Sequence, residues 1–499
     1  MPSDANMNPA QAAERLMGQG RAADAIALLA PIVERGGADL MVMTTYAEAL
    51  KGAERLEAAI AIYAQAAQAW PKSAVAEHNL AGALGDAQHF AASEAATRRA
   101  FAKGLDAPET WLVHARALQG QDRFDEAQDA YRQALRRRPD YADAHGDLAA
   151  LIWMRTEDVA LACAALDGAL ASRPGEAALS LKKARLLEFA GDLEGAYGVL
   201  REALARHPEQ PLIHVPAAQI AANLDPERAL DHARRAFAAA PEHEAVLAAL
   251  AQANLAAGRA DEAAAAAEAF LKPRPTDQYG LALLATAWRL MGDDRYQALY
   301  DYDRFVGQYQ IEPPAGWTSL EAFLEDLAAA LARLHPFLTH PVGQSLRHGS
   351  QTQQDLVLST DPAVRAFFGA IDAPIRRHIA GLGAGDDPLR RRSTGAYRFN
   401  GAWSVRLRPD GFHANHTHAK GWLSSAFYVA LPAAVEEGHQ GWLKFGEPGV
   451  PTAPPLAAEW FVKPRPGLLV LFPSYMWHGT VAFSGEAPRL TIAFDVVPG

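Results

Sequence analysis

Residues 403–431 read WSVRLRPDGFHANHTHAKGWLSSAFYVAL, and this stretch decides the fold of the C-terminal part of the chain. Apolar residues alternate with polar ones on both sides of a loop, which predicts two β-strands. Three histidines, His413, His416 and His418, lie in or beside that loop. Because residues i and i+2 of an extended backbone project to the same side, His416 and His418 can bind one metal ion together.

A third metal ligand is expected from elsewhere in the chain. With 17 histidines in 499 residues, about 0.6 His-x-His pairs are expected by chance, so the pair alone decides nothing. His478 follows the apolar run Leu468–Phe472, which predicts a buried strand. Three protein ligands on one side of an ion leave positions open for substrate, which is typical of a catalytic rather than a structural metal.

The end of the chain adds a candidate anion site. Arg489 follows His478 and begins the alternating run RLTIAFDVV, with Thr491 two residues further on. The planar guanidinium matches a carboxylate with two parallel hydrogen bonds, and Thr491 would add a hydroxyl on the same side. A buried arginine is costly unless it is paired. The pattern therefore predicts that a small dicarboxylate binds beside the metal.

Three segments carry a resemblance to a known family. They are residues 403–432, QSLRHGSQT at 344–352, and GLLVLFPSYMWHGTVAFSGEAPRLTIAFDV at 467–496. The sequence resembles the iron(II)- and 2-oxoglutarate-dependent dioxygenases, and most of all the bacterial group in which the oxygenase domain follows tetratricopeptide repeats. This resemblance implies a double-stranded β-helix and hydroxylation of a C–H bond, with ascorbate compatible as an added reductant.

The resemblance also implies roles for individual residues. His416, His418 and His478 would bind iron, with no catalytic side chain beyond the metal centre. Arg489 and Thr491 would bind the distal carboxylate of 2-oxoglutarate. Tyr428 is expected to donate its hydroxyl to the same cosubstrate, although packing in the cavity wall is the alternative. His418 stands where the family most often has an acidic ligand, and three histidines also suit zinc.

Several other residues near these motifs have open roles. On a regular strand His413 would project to the opposite side from His416 and His418, so it is expected in a loop or behind the ligands. A bulge in the backbone could instead make it a ligand itself. The polar segment 340–352 has few helix or strand signals and is either an active-site lid or a structural loop. Its candidate substrate-facing residues are Arg347, His348 and Gln351. Four isolated histidines are expected at the surface: His335, His340, His378 and His439.

The N-terminal part of the chain is repetitive. Prolines that follow helical stretches recur at about 34 residues or a multiple of it, which indicates tetratricopeptide repeats. In the segment 123–140, Ala127, Tyr131, Ala134 and Pro139 define a register that recurs four more times. We expect about eight repeats at 11–308, a linker at 309–318 and the oxygenase at 319–499, with helices at 319–334 and 361–382 outside a jelly-roll barrel.

The predicted fold class is therefore multidomain. An all-α tetratricopeptide superhelix precedes a double-stranded β-helix with flanking helices. The lone Cys163, the absence of an apolar run long enough to span a bilayer and an N-terminus without a signal pattern predict a cytoplasmic protein. From residue 310 onward 16 acidic and 16 basic residues balance, so 31 basic and 42 acidic residues in the first 309 carry the net charge of −11. That balance argues against a nucleic-acid surface.

Three matters stay open from the sequence. The repeats are expected to bind a protein or peptide in their groove, or else to serve as a spacer or dimerisation arm. The chain as a whole would hydroxylate a substrate that the repeats recruit. It would otherwise be a scaffold with an inactive barrel, or a three-histidine zinc or cupin-like enzyme. The sequence does not predict an oligomeric state.

Overall fold

The structure, a computed structural model, describes residues 8–499. Helices α1 to α19 come first, and the strands are concentrated after residue 396. The helices are α1 Pro9–Gly18, α2 Ala22–Glu34, α3 Leu40–Gly52, α4 Leu56–Ala69, α5 Ala74–Asp86, α6 Phe90–Ala102, α7 Pro108–Gln119, α8 Phe124–Arg137, α9 Ala142–Thr156, α10 Val159–Ser172, α11 Ala177–Phe189, α12 Leu193–Arg206, α13 Pro211–Ala221, α14 Pro226–Ala239, α15 Glu244–Ala256, α16 Ala260–Leu271, α17 Gln278–Met291, α18 Arg295–Leu299, α19 Tyr302–Phe305, α20 Leu320–Ala332 and α21 Pro362–Leu382.

The repeats form because small residues recur where helices touch. Ala127, Tyr131 and Ala134 of α8 are buried, as the predicted register requires. Aspartates begin some of the second helices: Asp158 and Asp192 each accept a hydrogen bond from the backbone N–H three residues further on. Among residues 8–499, consecutive helices pack in pairs from α1–α2 to α7–α8 and again from α11–α12 to α15–α16, which is the helix-pair architecture predicted for the repeats.

The chain divides into two compact units, one ending at Leu151 and the other comprising Ile152–Gly499. The second unit contains the repeats from α10 onward together with all of the strands. The segment predicted as a linker, 309–318, begins inside a strand, because Tyr309 and Gln310 pair with Leu469 and Leu468. The short run GQYQ therefore serves as an edge strand of the sheet.

Within the second unit, repeat helices pack directly on the β region. The indole Nε1 of Trp477 donates to the Thr286 hydroxyl of α17 at 2.9 Å, and both residues are buried. Arg289 of the same helix pairs with Glu459 at 3.0 Å and donates to the Gly446 carbonyl. Buried, hydrogen-bonded contacts of this kind hold neighbouring elements in one arrangement.

Two antiparallel sheets make up the β region. The larger has the strand order β1-β7-β4-β9-β3-β2 and the smaller the order β6-β5-β8, which is the jelly-roll class of arrangement predicted from the sequence. The strands are β1 Gly307–Gln310, β2 Leu346–Gln351, β3 Tyr397–His413, β4 Leu423–Ala430, β5 Leu443–Phe445, β6 Trp460–Val462, β7 Leu468–Pro473, β8 His478–Thr480 and β9 Arg489–Pro498. Short 3-10 turns lie at Leu356–Leu358, Arg390–Arg392 and Ala433–Glu436.

Two helices flank the larger sheet, as predicted. Ser319 caps α20 and Asp361 caps α21, each accepting a hydrogen bond from a backbone N–H of the first turn. Phe367 of α21 packs on Phe427 of β4, with 4.8 Å between ring centroids, and on Phe494 of β9. The helix α21 thus covers one face of the larger sheet. The opposite face is turned to the smaller sheet, and the cavity described below lies between the two sheets.

Two predictions for the segment before the barrel were wrong. Residues 346–351 form β2, an edge strand that pairs with β3 through a register shift, although the sequence shows little alternation there. Three histidines expected at the surface are buried because each finds hydrogen-bond partners. Those partners are the Ser350 and Ser404 hydroxyls for His335, the Phe189 carbonyl for His340 and the Tyr309 hydroxyl for His378. His439 is exposed, as predicted.

Within residues 8–499, no helix is both long enough and apolar enough to cross a lipid bilayer.

Candidate metal centre

Three histidines converge between the two sheets. His416 and His418 lie just after β3, and His478 begins β8. The backbones of His416 and His478 exchange two hydrogen bonds, His416 N to His478 O at 2.9 Å and the reverse at 3.1 Å. One potential ligand nitrogen from each of the three side chains lies within 4.8 Å of the other two. The structure thus brings together the three histidines that the sequence analysis selected.

In each of the three rings, a hydrogen bond made by Nδ1 fixes the direction in which Nε2 points. Nδ1 of His416 donates to the Ala414 carbonyl at 2.9 Å, and Nδ1 of His478 donates to the Met476 carbonyl at 2.9 Å. Nδ1 of His418 lies 2.6 Å from Oδ1 of Asp495. These bonds leave Nε2 as the nitrogen of each ring that can bind a metal, and the Nε2 atoms of His416 and His418 lie 3.1 Å apart. Outer partners of this kind fix the ring orientation and tautomer of metal-binding histidines.

Asp495 is a functional residue that the sequence analysis missed. It lies on β9, four residues after Thr491 and therefore on the same side of the strand. Its Oδ1 also accepts a hydrogen bond from the Ser424 hydroxyl at 2.7 Å, which in turn contacts the Ser474 hydroxyl. The i+2 alternation of β9 places Asp495 on the side of Arg489 and Thr491, but it does not show the contact with His418.

Burial favours the neutral form of the His416 and His478 imidazoles. Desolvation, followed by the nearby His418, lowers the pKa of His416 to about 3. Desolvation also lowers the pKa of His478 well below its usual value, and the neighbouring histidines add to the effect. A neutral imidazole has the lone pair that a metal ion needs, so the histidines are suited to binding a cation rather than a proton.

Arg489 is deeply buried without a carboxylate partner. It is 2% exposed, its Nε has no hydrogen-bond acceptor, and residues 8–499 provide no ion pair for it. Its guanidinium carbon lies 5.2 Å from the ring centroid of Tyr428, whose hydroxyl is also buried without a partner. Desolvation lowers the pKa of this guanidinium. Unsatisfied buried polar groups are costly, so an anion bound at the guanidinium would lower that cost.

Thr491 lies on the same strand as Arg489, with the side-chain spacing expected from the sequence. Its hydroxyl is 3.5 Å from the Val405 carbonyl oxygen, a distance too long for a strong hydrogen bond. The side chain is 4% exposed and faces the same cavity as Arg489 and the histidines. The hydroxyl is therefore available to a ligand.

A cavity of about 540 Å³ connects these groups. It is lined by the three histidines, Arg489, Thr491 and Asp495, and this volume is in the range of small-molecule sites. A second cavity of about 510 Å³ adjoins it and shares His413, Ala414, Asn415 and Gly449 with the first. The repeats contribute to both, through Phe189 to the first and Asn223 to the second.

Of the residues whose roles the sequence left open, some line the cavity and one is exposed at the surface. His413 is not in the ligand cluster, and its Nδ1 contacts the Ser345 hydroxyl at 2.9 Å, which lies 3.3 Å from Nε2 of His416. Arg347 and Gln351 line the cavity, whereas His348 is exposed and does not. The segment 340–352 therefore supplies part of the cavity wall.

Comparison with known proteins identifies the class of this domain. Residues 401–495 match the model of a family described as "Putative 2OG-Fe(II) oxygenase", where 2OG is 2-oxoglutarate. Residues 112–177 and 154–211 match the tetratricopeptide repeat model. The chain therefore combines tetratricopeptide repeats with a 2OG-Fe(II) oxygenase domain at its C-terminal end. That family implies iron(II) and 2-oxoglutarate, and the chemistry of the three histidines fits an iron ion.

Solved structures similar to this chain are helical-repeat proteins of low identity. A chain in the crystal structure of the APC/C hetero-tetramer Cut9-Hcn1 is 16% identical over 55% of this chain and 54% of that chain, with a TM-score of 0.33. This chain thus spans about half the length of that relative. MamA 41-end from Desulfovibrio magneticus RS-1 is 14% identical over 35% of this chain and 99% of its own, with a TM-score of 0.30. The comparison with curated proteins gave no match.

Proposed function

We propose that this protein is an iron(II)- and 2-oxoglutarate-dependent dioxygenase that hydroxylates a protein or peptide substrate recruited by its repeats. His416, His418 and His478 would hold the iron. Arg489, with Thr491 and Tyr428, would hold the cosubstrate. Iron and 2-oxoglutarate together supply the oxidation in this family, in which dioxygen and 2-oxoglutarate are converted to succinate and CO2 as a C–H bond becomes C–OH.

The observation that carries this proposal is the unpaired Arg489 in the cavity of the three histidines. A cluster of three histidines alone would suit zinc equally well. A zinc or cupin-like enzyme, however, has no need of a buried guanidinium that lacks a counter-ion, and such a group is retained at a cost of several kcal/mol unless a ligand pairs with it. A dicarboxylate satisfies Arg489 and reaches the metal with its other end.

The protein's own contribution is to hold and orient groups in one cavity. The Nδ1 hydrogen bonds keep three imidazoles facing one point, and Asp495 fixes the orientation of the His418 ring. Arg489 and Thr491 provide donors on one strand.

The repeats support a macromolecular substrate. Tetratricopeptide repeats stack into extended surfaces that bind peptide segments. Phe189 and Asn223 line the cavities beside the histidines, so a chain bound along these repeats would lie next to the metal. We infer that the repeats deliver the substrate rather than only space the barrel from another protein.

The test is turnover of 2-oxoglutarate by purified protein loaded with iron(II) under anaerobic conditions, then exposed to oxygen with ascorbate present. We expect succinate and CO2, and no succinate from protein loaded with zinc. His478→Ala should lose metal, and Arg489→Ala should retain metal but bind 2-oxoglutarate poorly. The matched controls are the exposed residues His439 and Arg406, changed to alanine. Full turnover by both site variants would refute the assignment.

The substrate is best sought in cells. Proteins from cells that contain native or His478→Ala enzyme should be compared by mass spectrometry for +16 Da adducts on peptides. An adduct that depends on native enzyme would identify the substrate. If adducts occur only on small metabolites, the oxygenase assignment is supported. The proposal that the repeats deliver a protein substrate is then refuted.

A further inference from the structure

The catalytic cavity contains a second guanidinium that the proposed function does not use. Arg347 of β2 lines the cavity and is half-buried. Its Nη1 donates to the Gln344 and Leu346 carbonyls, both at 2.9 Å. Among residues 8–499 no hydrogen bond is made by its Nε or Nη2, and no carboxylate forms an ion pair with it. One edge of the guanidinium is fixed and the other is unbonded.

A residue of the repeats holds this side chain in place. The guanidinium carbon of Arg347 lies 5.2 Å from the ring centroid of Phe189, at the end of α11. The exposed Arg185 contacts the same ring at 5.8 Å. A guanidinium over an aromatic face is attracted by the ring and loses part of its mobility. Arg347 is therefore oriented before any ligand arrives.

The charges around Arg347 favour an anion. Burial lowers the pKa of Arg347, and Glu188 is the acid that opposes this effect. The pKa of Glu188 is itself raised by desolvation, against the influence of Arg185 and Arg347. Lys420 also lines the cavity, while Asp495 is engaged by His418 and Ser424. Glu188 thus interacts with the guanidiniums of both Arg185 and Arg347, and Lys420 is a further cation of the cavity lining.

We propose that Arg347 binds a carboxylate of the primary substrate, so that the enzyme acts on acid-bearing substrates. This inference rests on the proposed function, because it assigns Arg489 to 2-oxoglutarate and leaves Arg347 for the molecule that is hydroxylated. The unbonded Nε and Nη2 form the pair of donors that grips a carboxylate with two parallel hydrogen bonds. The carboxylate belongs either to a peptide side chain or to a free amino acid.

The experiment uses the full chain loaded with cobalt(II), with N-oxalylglycine, an unreactive isostere of 2-oxoglutarate, at saturation. Cobalt(II) broadens the proton NMR signals of ligands bound close to it, so weak binding in this cavity is detected without turnover. The probes are matched acids and amides: aspartate against asparagine, glutamate against glutamine, and acetyl-AADAA-amide against acetyl-AANAA-amide. The peptide and free amino-acid pairs distinguish the two sources of the carboxylate.

We expect at least one acid to bind about tenfold more tightly than its amide, a difference typical of charge-assisted hydrogen bonds. Arg347→Gln should abolish that preference, whereas Lys420→Gln, which removes a cation from the same cavity, should largely preserve it. Glu188→Gln should strengthen binding of the acid because it removes the competing carboxylate. Phe189→Leu should weaken the preference, since it keeps the apolar contact and removes the aromatic face.

Three results would overturn the inference. They are equal binding of every acid and its amide by native protein, an acid preference that survives in Arg347→Gln, and an equal loss of the preference in Lys420→Gln. N-oxalylglycine binding is measured in parallel and distinguishes this failure from failure of the proposed function. It should be retained in Arg347→Gln, which also shows that the variant is folded, and lost in Arg489→Gln. The reverse pattern would mean that Arg347 binds the cosubstrate and would refute both assignments.

Discussion

The hydroxyl of Tyr300 donates a 2.9 Å hydrogen bond to the carbonyl of Tyr475, three residues before the metal-ligand candidate His478. The same hydroxyl accepts a hydrogen bond from the backbone N–H of Trp477 at 3.1 Å. These two bonds bracket Met476, whose carbonyl orients the His478 ring. A tyrosine that follows the last repeat helices therefore holds the backbone that delivers one ligand.

Changing Tyr300 to phenylalanine should weaken metal binding. The Tyr475 carbonyl and the Trp477 N–H would lose their partner in a buried site, and the His478 ring would be less well oriented. We expect an affinity for cobalt(II) about tenfold lower, within the range seen for residues that orient metal ligands. The measurement is a titration in competition with a chelator. Tyr296→Phe is the control, since Tyr296 stacks on Tyr300 but bonds to Glu459 and Tyr302; equal losses in both variants would contradict the role given to Tyr300.

Replacing Asp495 by asparagine should also lower metal affinity, for a different reason. The amide is nearly the same size as the carboxylate but is uncharged and can also donate, so it fixes the His418 ring less firmly and allows the other tautomer. We expect a loss of about 10- to 100-fold in cobalt(II) affinity, with an altered cobalt(II) visible spectrum. Ser425→Ala serves as the control, because Ser425 is buried on the same strand as Ser424 but bonds to Phe494 instead. An unchanged spectrum and affinity in Asp495→Asn would rule out this role.

Tyr428→Phe should separate stability from cosubstrate binding. The buried hydroxyl has no partner in the protein, so its removal should leave the ligand-free protein equally stable or more stable by up to about 1 kcal/mol. Affinity for 2-oxoglutarate should fall by several-fold if the hydroxyl bonds to it. Tyr397→Phe should instead lower stability and leave the affinity for 2-oxoglutarate unchanged. The Tyr397 hydroxyl lies away from the cavity and donates a 2.7 Å hydrogen bond to Asp372. Calorimetric titration and thermal unfolding measure both effects, and unaltered affinity in Tyr428→Phe would remove Tyr428 from the site.

His335 should make the fold sensitive to acid. Burial, with Arg406 as a smaller cause, lowers its pKa to about 4, whereas the unfolded chain titrates near 6.5. Between these values the unfolded state binds more protons than the folded state, so stability is full above pH 6.5 and falls as the pH falls. Through His335 alone, the free energy of unfolding should fall by about 2 kcal/mol from pH 7 to pH 5. His335→Gln should reduce this loss in urea unfolding, while the exposed His439→Gln should not; parallel pH profiles would contradict the prediction.

The sequence allowed the residues of the site to be predicted where local spacing carries the information. His416 and His418 share a side because they are two residues apart, and Arg489 and Thr491 share one for the same reason. The repeat helices were likewise predictable, because Ala127 and Tyr131 mark a register that recurs along the chain. In each case a short-range periodicity determines which side chains face one another.

Asp495, Tyr300 and β2 could not be predicted in the same way. The contact between Asp495 and His418 depends on how β9 is placed beside the loop after β3, and a single sequence does not specify that placement. Tyr300 acts through backbone atoms, so the residue types at 475 and 477 give no sign of the contact. The strand β2 has weak alternation and forms because β3 offers an edge for pairing.

The compact unit that begins at Ile152 has a practical consequence for the expression of fragments of this chain. A fragment that starts at the apparent domain border near residue 319 would lack Tyr300, Thr286 and Phe189, and with them part of the support for His478 and one wall of the cavity. Expressed fragments should instead start ahead of α9, so that they retain the repeat helices that contact the candidate metal site and its cavity.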